Sequence, residues 1–360
     1  MLQFYEFTLP FRSVFKTGAG DFLQRSGTLI HFSDHSTQIL AEASPLPGFS
    51  RESLADVKES CTRYKVDIDH FLLSDFSVAR LRSFLQTLPD IPSFQFALSY
   101  LGLEIISERR QVPFHVLLER PFTRNLKVNV VIGGGDMQQV KSKIEKGVKK
   151  GFNTFKIKAP HPAEPLAKKL EQLYIKFPGI KFRLDANQTW PVQKLDQISS
   201  LFSGLPVEYI EEPVSTFGPE KLSDIISACR IPIALDESIN SLSMVGSALK
   251  NYPETTLIIK PSLFGNLFDL IETICRFSTP LSNIIITTTI EARIGRSMIA
   301  SIASVIGDPQ AAHGLNTGHL LRYDLLDDFT ISEGVLELPE SGSWKHSPAK
   351  INSNLLNGFS

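Results

Sequence analysis

Short apolar runs alternate with amphipathic segments through most of the chain after Lys127. Each run is typical of a buried β-strand, and the segment after it places apolar residues at helical spacing, as Val140, Ile144 and Val148 do. Strands that alternate with helices in this way predict a parallel sheet built from βα units. The eight runs are VNVVIG, TFKIK, FRLDAN, VEYIEEP, IALDES, LIIKPS, NIIITTTI and a short run from His313 to Asn316.

The spacing of polar residues within these runs indicates that the sheet closes. Six consecutive runs carry a polar residue at intervals of 24 to 28 residues: Lys158, Asp185, Glu211, Asp236, Lys260 and Thr288. One βα unit fits each interval, and eight runs are more than an open doubly wound sheet normally has. The sequence therefore predicts an α/β fold with a (β/α)8-type barrel over residues 121–325.

The first 120 residues follow a different order of patterns. Leu2–Pro10 and Gly27–Leu40 alternate like antiparallel strands, with a glycine-bearing loop at Lys16–Gly20 that we expect to be mobile and able to close over a ligand. Segments with helical spacing follow, which predicts an α+β capping domain over residues 1–120. The segment 326–360 contains the strand-like GVLELPE and a polar tail, and we expect it to pack back on the capping domain.

Composition and charge exclude several classes of protein. With 360 residues and 42% hydrophobic side chains, the chain can bury a large core and is not a disordered protein. Its 37 basic and 38 acidic residues leave no basic field for nucleic acid. We expect a cytoplasmic protein without membrane contact, because no apolar run approaches the ~18 residues of a membrane span and the start lacks a signal peptide.

The polar residues of the runs suggest carbanion chemistry at one mouth of the barrel. Side chains two positions apart on a strand share a face, and the carboxyl ends of barrel strands converge where barrel enzymes bind substrate. Three carboxylates there make an all-oxygen site for Mg²⁺, with Mn²⁺ as a substitute. Lysines on both sides suit proton removal beside a substrate carboxylate. The carboxylates are Asp185, Glu211 and Asp236, and the lysines are Lys156, Lys158 and Lys260.

Other interpretations of these residues stay open. Two lysines on a strand are often merely solvated, and an acid that ends a strand often caps the next helix; the regular joint spacing argues against both. A Schiff-base aldolase would use Lys260 but leaves the carboxylates unexplained, and a ligand-binding barrel without catalysis would need no metal. The GGGD turn at 133–136 lacks the residues of a P-loop, and His313 and His319 are as compatible with structural as with functional roles.

The order of five motifs resembles the enolase superfamily, in its muconate-lactonizing-enzyme-like group. The motifs are FKIKAP, FRLDANQTW, IEEPV, IALDESI and IIKPSLFGNL. Two further stretches resemble the same group: SPLPGFSRESL at Ser44–Leu54, similar to its small-domain loop, and ITTTIEARIG at Ile286–Gly295. The resemblance covers about residues 1–325 and implies a capping domain joined to a barrel of the modified (β/α)7β form.

Carried over by motif, the resemblance implies a role for each candidate residue. The three carboxylates would bind Mg²⁺. Lys158 would be the base that removes the substrate's α-proton and then helps the hydroxyl leave as water, while Lys260 would stabilise the enediolate from the opposite face. Lys156 would tune Lys158 and contact the substrate carboxylate. Further substrate contacts are implied for Arg183, Asn187, Gly48, Phe49, Thr288 and Thr289.

The implied activity is a hydro-lyase reaction of menaquinone biosynthesis, in which a succinyl-substituted hydroxycyclohexadiene carboxylate becomes an aromatic acid. Ala292 and Arg293 stand where the group has two serines, and an arginine there could either strengthen carboxylate binding or narrow the pocket. The same pair of lysines serves racemases of N-acylamino acids and dipeptide epimerases, so these activities form the alternative. The partner expected is a small-molecule carboxylate, and the sequence leaves the oligomeric state open.

Overall fold

The computed structural model describes residues 1–17, 20–133, 137–215, 219–277 and 281–359. The middle of the predicted Lys16–Gly20 loop and most of the GGGD turn lie outside these ranges. Within them, no helix is long and apolar enough to cross a membrane.

The N-terminal part is a capping domain of one antiparallel sheet packed on helices. The sheet has the order β14 (Leu356–Phe359), β1 (Leu2–Thr17), β2 (Gly20–Ser33) and β3 (Gln38–Ala43), so the last strand of the chain pairs with the first. A capping box starts α1, where Ser53 and Asp56 exchange side-chain and backbone hydrogen bonds. Helix α3 is buried along almost its whole length because it lies between the sheet and the barrel. The elements are β1 (Leu2–Thr17), β2 (Gly20–Ser33), β3 (Gln38–Ala43), α1 (Leu54–Leu73), α2 (Val78–Leu85), α3 (Pro92–Arg110) and α4 (Phe114–Leu117).

The central part alternates strands and helices as the apolar runs predict. Its elements are β4 (Asn125–Lys127), β5 (Val130–Ile132), α5 (Met137–Lys149), β6 (Thr154–Lys158), α6 (Glu164–Lys176), β7 (Lys181–Asp185), α7 (Leu195–Ser200), β8 (Val207–Glu211), α8 (Pro219–Ala228), β9 (Ile233–Leu235), α9 (Leu242–Asn251), β10 (Thr256–Ile259), α10 (Leu267–Phe277), β11 (Ile284–Ile286) and α11 (Arg293–Ile306). Short 3₁₀ turns lie at Val192–Lys194, Pro261–Leu263, Gly318–Leu320, Pro348–Lys350 and Ser353–Leu355.

In the part of the chain that the structure describes, seven parallel strands, from β5 to β11 in chain order, form a curled sheet. The short run at His313 closes it: His313 bridges to Val128 beside β5, and Gly314 bridges to Thr287 after β11. The prediction of a barrel with a capping domain is therefore confirmed, and the eighth run is a two-residue bridge rather than a full strand. Inside, the side chains of Tyr209, Ala234, Ile258 and Ile285 pack into one buried layer.

The C-terminal segment pairs with both parts of the molecule. Strands β12 (Ile331–Ser332) and β13 (Val335–Glu337) form a small antiparallel sheet with β4 at the start of the barrel. Strand β14 (Leu356–Phe359) then joins the capping sheet beside β1. The contact with β4 is one that the sequence did not predict.

Candidate active site at the barrel mouth

The predicted ionisable residues lie at the carboxyl ends of five neighbouring strands. Strands β6, β7 and β8 end at Lys158, Asp185 and Glu211, while Asp236 and Lys260 directly follow β9 and β10. These positions come two residues after members of the buried apolar layer on β8, β9 and β10, so they share its face of the sheet and extend beyond it toward the barrel mouth. On β8, β9 and β10 the polar groups therefore lie directly above an apolar layer.

Ion pairs join these side chains across the strands. Lys156 Nζ lies 2.5 Å from Glu211 Oε1 and 3.1 Å from Asp185 Oδ2. Lys158 Nζ lies 2.8 Å from the same Asp185 oxygen. On the far side, Lys260 pairs with Asp236. Six predicted residues thus form one cluster, with lysines approaching the carboxylates from both β6 and β10.

Because the cluster is buried, the pKa values of several of its groups are shifted. Asp185 is 4% and Glu211 is 1% exposed. Burial raises the pKa of Glu211, and the charges of Asp185 and Asp236 raise it further against the opposing effect of Lys156. Burial disfavours the charged form of Lys156 as well, but Asp185 and Glu211 outweigh it and hold the pKa of Lys156 above its usual value.

Lys260 follows the same pattern: burial lowers its pKa, but the charge and hydrogen bond of Asp236, together with the charge of Glu211, more than offset this, so the net shift is upward. Both Lys156 and Lys260 therefore hold their protons firmly while the carboxylates are their partners. A lysine that is to act as a base must first be released from such a pair.

The carboxylates offer unused oxygen atoms that suit a hard cation. Asp185 Oδ1, Glu211 Oε2 and Glu237 Oε2 are buried and have no hydrogen-bond partner among the described residues. Carboxylate oxygens are the ligands that Mg²⁺ prefers, so the donor set fits the ion. Among the described residues, however, no three His, Cys, Asp or Glu side chains are arranged to hold a metal as they stand. The lysines draw the carboxylates toward themselves, and the predicted metal triad stays a prediction.

Two acids that the sequence analysis did not single out support the site from behind. Glu212 accepts hydrogen bonds from the backbone N–H groups of Asp236 (3.0 Å) and Ser238 (2.8 Å), which fixes the turn that carries Asp236. Burial raises the pKa of Glu212 to about 7. Glu237 Oε1 accepts a 3.0 Å bond from the amide of Asn187, whose own carbonyl accepts from Lys158. In the sequence, the two adjacent acids in IEEP and in LDES could have indicated Glu212 and Glu237.

The structure brings one predicted capping-domain contact directly to the site. The Phe49 ring lies with its centroid 5.0 Å from Lys260 Nζ, within the range of a cation–π interaction. Gly48 precedes it with a φ of 79°, a backbone conformation that a glycine adopts without strain. Both residues therefore lie where a ligand at the barrel mouth would meet the capping domain.

The predicted threonine contacts are turned toward other partners. Thr288 shares a 2.8 Å hydrogen bond with Thr317, and Thr289 donates to Glu291 through its hydroxyl. Both side chains are buried. Their substrate contacts stay predictions, and in this structure their hydroxyls bond to the neighbouring side chains of Thr317 and Glu291.

Arg183 lies on the same strand face as Asp185, one layer further from the barrel mouth. Its position two residues before Asp185 aims its side chain into the barrel interior, where Nε bonds Glu208 at 2.7 Å and the guanidinium donates to the Ala312 carbonyl. The guanidinium carbon also lies 4.9 Å from the Tyr209 ring centroid. All these contacts are structural, so the structure does not bring Arg183 to the mouth as a substrate contact.

The arginine that replaces a family serine also points elsewhere. The guanidinium of Arg293 lies 3.7 Å from the centroid of the Phe329 ring and donates to Ser297. Both predicted effects of this cation on the pocket therefore find no support here, because it stacks on the C-terminal segment.

Comparison with known proteins places these features in a family. Residues 139–342 match the model of the "Enolase C-terminal domain-like" family, and residues 1–105 match "MenC, N-terminal domain". The o-succinylbenzoate synthase of Aliivibrio salmonicida (strain LFI1238) is 24% identical over 332 residues, 90% of this chain and 92% of that protein. That of Mycobacterium ulcerans (strain Agy99) is 26% identical over 188 residues, 52% of this chain. The chain spans only 56% of the length of this mycobacterial relative.

Solved structures share the fold. An o-succinylbenzoate synthase from Thermosynechococcus elongatus BP-1, described as complexed with Mg in the active site, aligns with a TM-score of 0.71 and 23% identity, over 90% of this chain and 94% of that one. The L-Ala-D/L-Glu epimerase of Bacillus subtilis aligns with a TM-score of 0.80 and 18% identity, over 94% and 96% of the two chains. At these identities the likeness establishes the architecture alone. Because the first of these family models covers more than half of the chain, the chain belongs to the enolase C-terminal domain-like family.

Proposed function

We propose that the protein is an o-succinylbenzoate synthase, a Mg²⁺-dependent hydro-lyase that converts 2-succinyl-6-hydroxy-2,4-cyclohexadiene-1-carboxylate into o-succinylbenzoate for menaquinone biosynthesis. One observation carries the proposal: ammonium groups reach the same carboxylate cluster from β6 and from β10. The names of the relatives, and the match of the capping domain to a MenC model, favour this substrate over others.

The proposed roles are those that the family resemblance implies, and the positions of the side chains are compatible with them. Asp185, Glu211 and Asp236 would hold Mg²⁺, which when bound polarises the substrate carboxylate. Lys158 takes the proton from the carbon beside that carboxylate, and its ammonium then donates a proton to the departing hydroxyl, which leaves as water. Lys260 supplies positive charge on the opposite side, where negative charge develops on the carboxylate. Elimination makes the ring aromatic, so the protein needs no further acid or base.

The ion pairs link the proposed base to a proposed metal ligand. Asp185 pairs with both Lys156 and Lys158, so a cation that binds Asp185 would change the contacts of both lysines. We therefore expect turnover to depend on Mg²⁺ and on Lys158 together.

The test is the ultraviolet assay for loss of the cyclohexadiene, with Mg²⁺ and then with a chelator. Lys158→Ala should lower kcat by at least about 10²-fold, the usual worth of a positioned base. Lys181→Ala is the matched control, because Lys181 lies at the opposite end of β7 and pairs with Glu208 at the surface. Near-full activity of Lys158→Ala, or activity that ignores the chelator, would overturn the proposed mechanism.

The epimerase alternative is favoured by the same two-sided placement of Lys158 and Lys260, since exchange on both faces of a carbon needs two bases. N-acylamino acids and dipeptides incubated in deuterated water provide the test. Deuterium at the α-carbon without turnover of the cyclohexadiene would assign the site to racemisation.

A further inference from the structure

The segment that carries Phe49 is a tightly bonded loop of residues 44–50. The carbonyl of Leu46 accepts hydrogen bonds from the backbone N–H groups of Phe49 (3.0 Å) and Ser50 (2.8 Å). The backbone N–H of Leu46 in turn donates to the Ser50 hydroxyl at 2.8 Å. These bonds fix the shape of the loop, but they do not fix where the loop lies relative to the barrel.

The side chain of Arg25 supplies that link. Arg25 lies on β2, is 1% exposed, and donates to the carbonyls of Ser44 and Pro45, the latter at 2.7 Å. Its Nε also donates to the carbonyl of Thr289, just beyond β11, at 3.3 Å. One buried guanidinium therefore joins the base of the loop to the rim of the barrel.

The same network extends to the segment after Lys260. Glu291 accepts from Ser262 at 3.0 Å and from the Thr289 hydroxyl and backbone N–H at 2.5 and 2.7 Å. Ser262 lies two residues after Lys260, in the 3₁₀ turn that ends β10. Loop 44–50 and the Lys260 segment are thus held by Arg25 and Glu291 through their shared partner Thr289.

Burying a charge is costly unless the charged group is hydrogen-bonded. Because the donors of Arg25 bond carbonyls of both domains, its buried side chain fixes the position of loop 44–50 relative to the barrel rim. We propose that Arg25 is a positioning residue, which anchors loop 44–50 to the barrel rim so that the Phe49 ring covers Lys260. The inference rests on the proposed function for its kinetic consequence. Its structural consequence, the placement of the loop, is independent of the substrate.

The kinetic test is a double-mutant cycle of Arg25→Gln and Phe49→Ala on kcat/KM. If Arg25 acts through Phe49, each single variant should lose about 10- to 100-fold, because small displacements of positioned groups cost this much. The double variant should then lose no more than the worse single variant. Multiplied losses in the double variant would overturn the proposal, since Arg25 would then act by another route.

Hydrogen exchange of the backbone amides of Phe49 and Ser50 provides the test without substrate. Arg25→Gln should speed exchange in loop 44–50 by about 10-fold or more, because the loop loses its anchor. Arg109→Gln is the matched control: Arg109 also donates to two capping-domain carbonyls, Ser74 and Leu72, but lies away from the loop. Unchanged exchange in Arg25→Gln would overturn the proposal even in an active enzyme.

If Arg25→Gln fails to fold, as circular dichroism would show, Arg25→Lys replaces it in both tests. A lysine keeps the charge but cannot reach the carbonyls of Ser44, Pro45 and Thr289 at once, so it should restore folding with only partial protection of the loop. Absence of dehydration in the wild type would defeat the proposed function while leaving the exchange result to judge Arg25.

Discussion

Acid should destabilise the protein through a histidine that closes the barrel. His313 is completely buried, and its backbone bonds Lys127 and Asn129 on the β5 side. Its ring Nδ1 accepts the backbone N–H of Ile286 at 3.1 Å, so the neutral ring is the form that fits. Burial, assisted by the charge of Arg183, lowers the pKa of His313 to about 3.

The sign and size follow from the difference between the folded and unfolded states. An unfolded histidine titrates near 6.5, so between that pH and about 3 the unfolded chain binds a proton that the folded chain does not. Stability from His313 is therefore complete above about pH 6.5 and is lost as the pH falls. At about pH 4.5 the loss amounts to about 3 kcal/mol, from two pH units below the unfolded pKa at ~1.4 kcal/mol each.

Buried carboxyl groups with raised pKa values act in the opposite direction. Burial raises the pKa values of Glu42, Glu104 and Glu212 to about 7 each. A raised carboxyl pKa means that the folded state binds the extra proton, so these groups favour folding as the pH falls from about 7 toward 4.5. The wild-type pH profile alone therefore mixes two effects, and only a variant isolates the histidine.

His313→Gln provides that isolation, because a glutamine carbonyl can still accept the Ile286 N–H while the side chain no longer titrates. Urea unfolding, followed by circular dichroism at about pH 7 and about pH 4.5, gives the free energy of unfolding of both proteins. On acidification the wild type should lose about 3 kcal/mol more than the variant. His35→Gln, which removes an exposed histidine, serves as control. Equal changes in wild type and His313→Gln would refute the reasoning.

Two local features give further predictions. Gly151→Ala should lower the melting temperature more than Gly179→Ala. Both glycines have positive φ, but a Cβ added at Gly151 would lie 2.5 Å from Glu333 Cα, whereas a Cβ added at Gly179 would have no described atom within 4 Å. Overpacking adds about 1–3 kcal/mol to the strain that both share, and equal melting temperatures would contradict this. Ser53→Ala should cost about 1 kcal/mol by thermal unfolding, because it removes the bond to the Asp56 N–H; no loss would show the cap to be dispensable.

The cluster at the barrel mouth could be predicted because each of its residues is marked by the sequence immediately around it. Strand ends are visible as the last residues of apolar runs, and parallel strands bring their ends together wherever the helices between them pack. Lys158, Asp185 and Glu211 therefore needed only their spacing to be placed side by side. The depth of each side chain in the barrel was harder to predict. Arg183 follows the same alternation as Asp185 but lies one layer further from the barrel mouth.

The contacts between domains were beyond sequence reasoning because they join residues hundreds of positions apart. Arg25 stands as one charged residue in an ordinary strand, and nothing near it in the sequence indicates its bond to Thr289. The tail is similar, since β13 pairs with β4 through backbone groups that any sequence provides. Such pairings are set by the final packing of the chain.

Glu42 shows why the capping domain and the barrel act as one unit. The first N–H groups of a helix lack partners within the helix, and those of α11 are buried. Glu42 on β3 accepts from the backbone of Ala292 at 2.9 Å and of Gly295 at 2.7 Å, so the capping domain completes a helix of the barrel. Arg25 binds the rim three residues earlier, at Thr289. The segment from Thr289 to Gly295 thus needs capping-domain side chains for its own hydrogen bonds. Separating the capping domain, which positions Phe49, from the barrel would leave the polar groups of this segment without those partners.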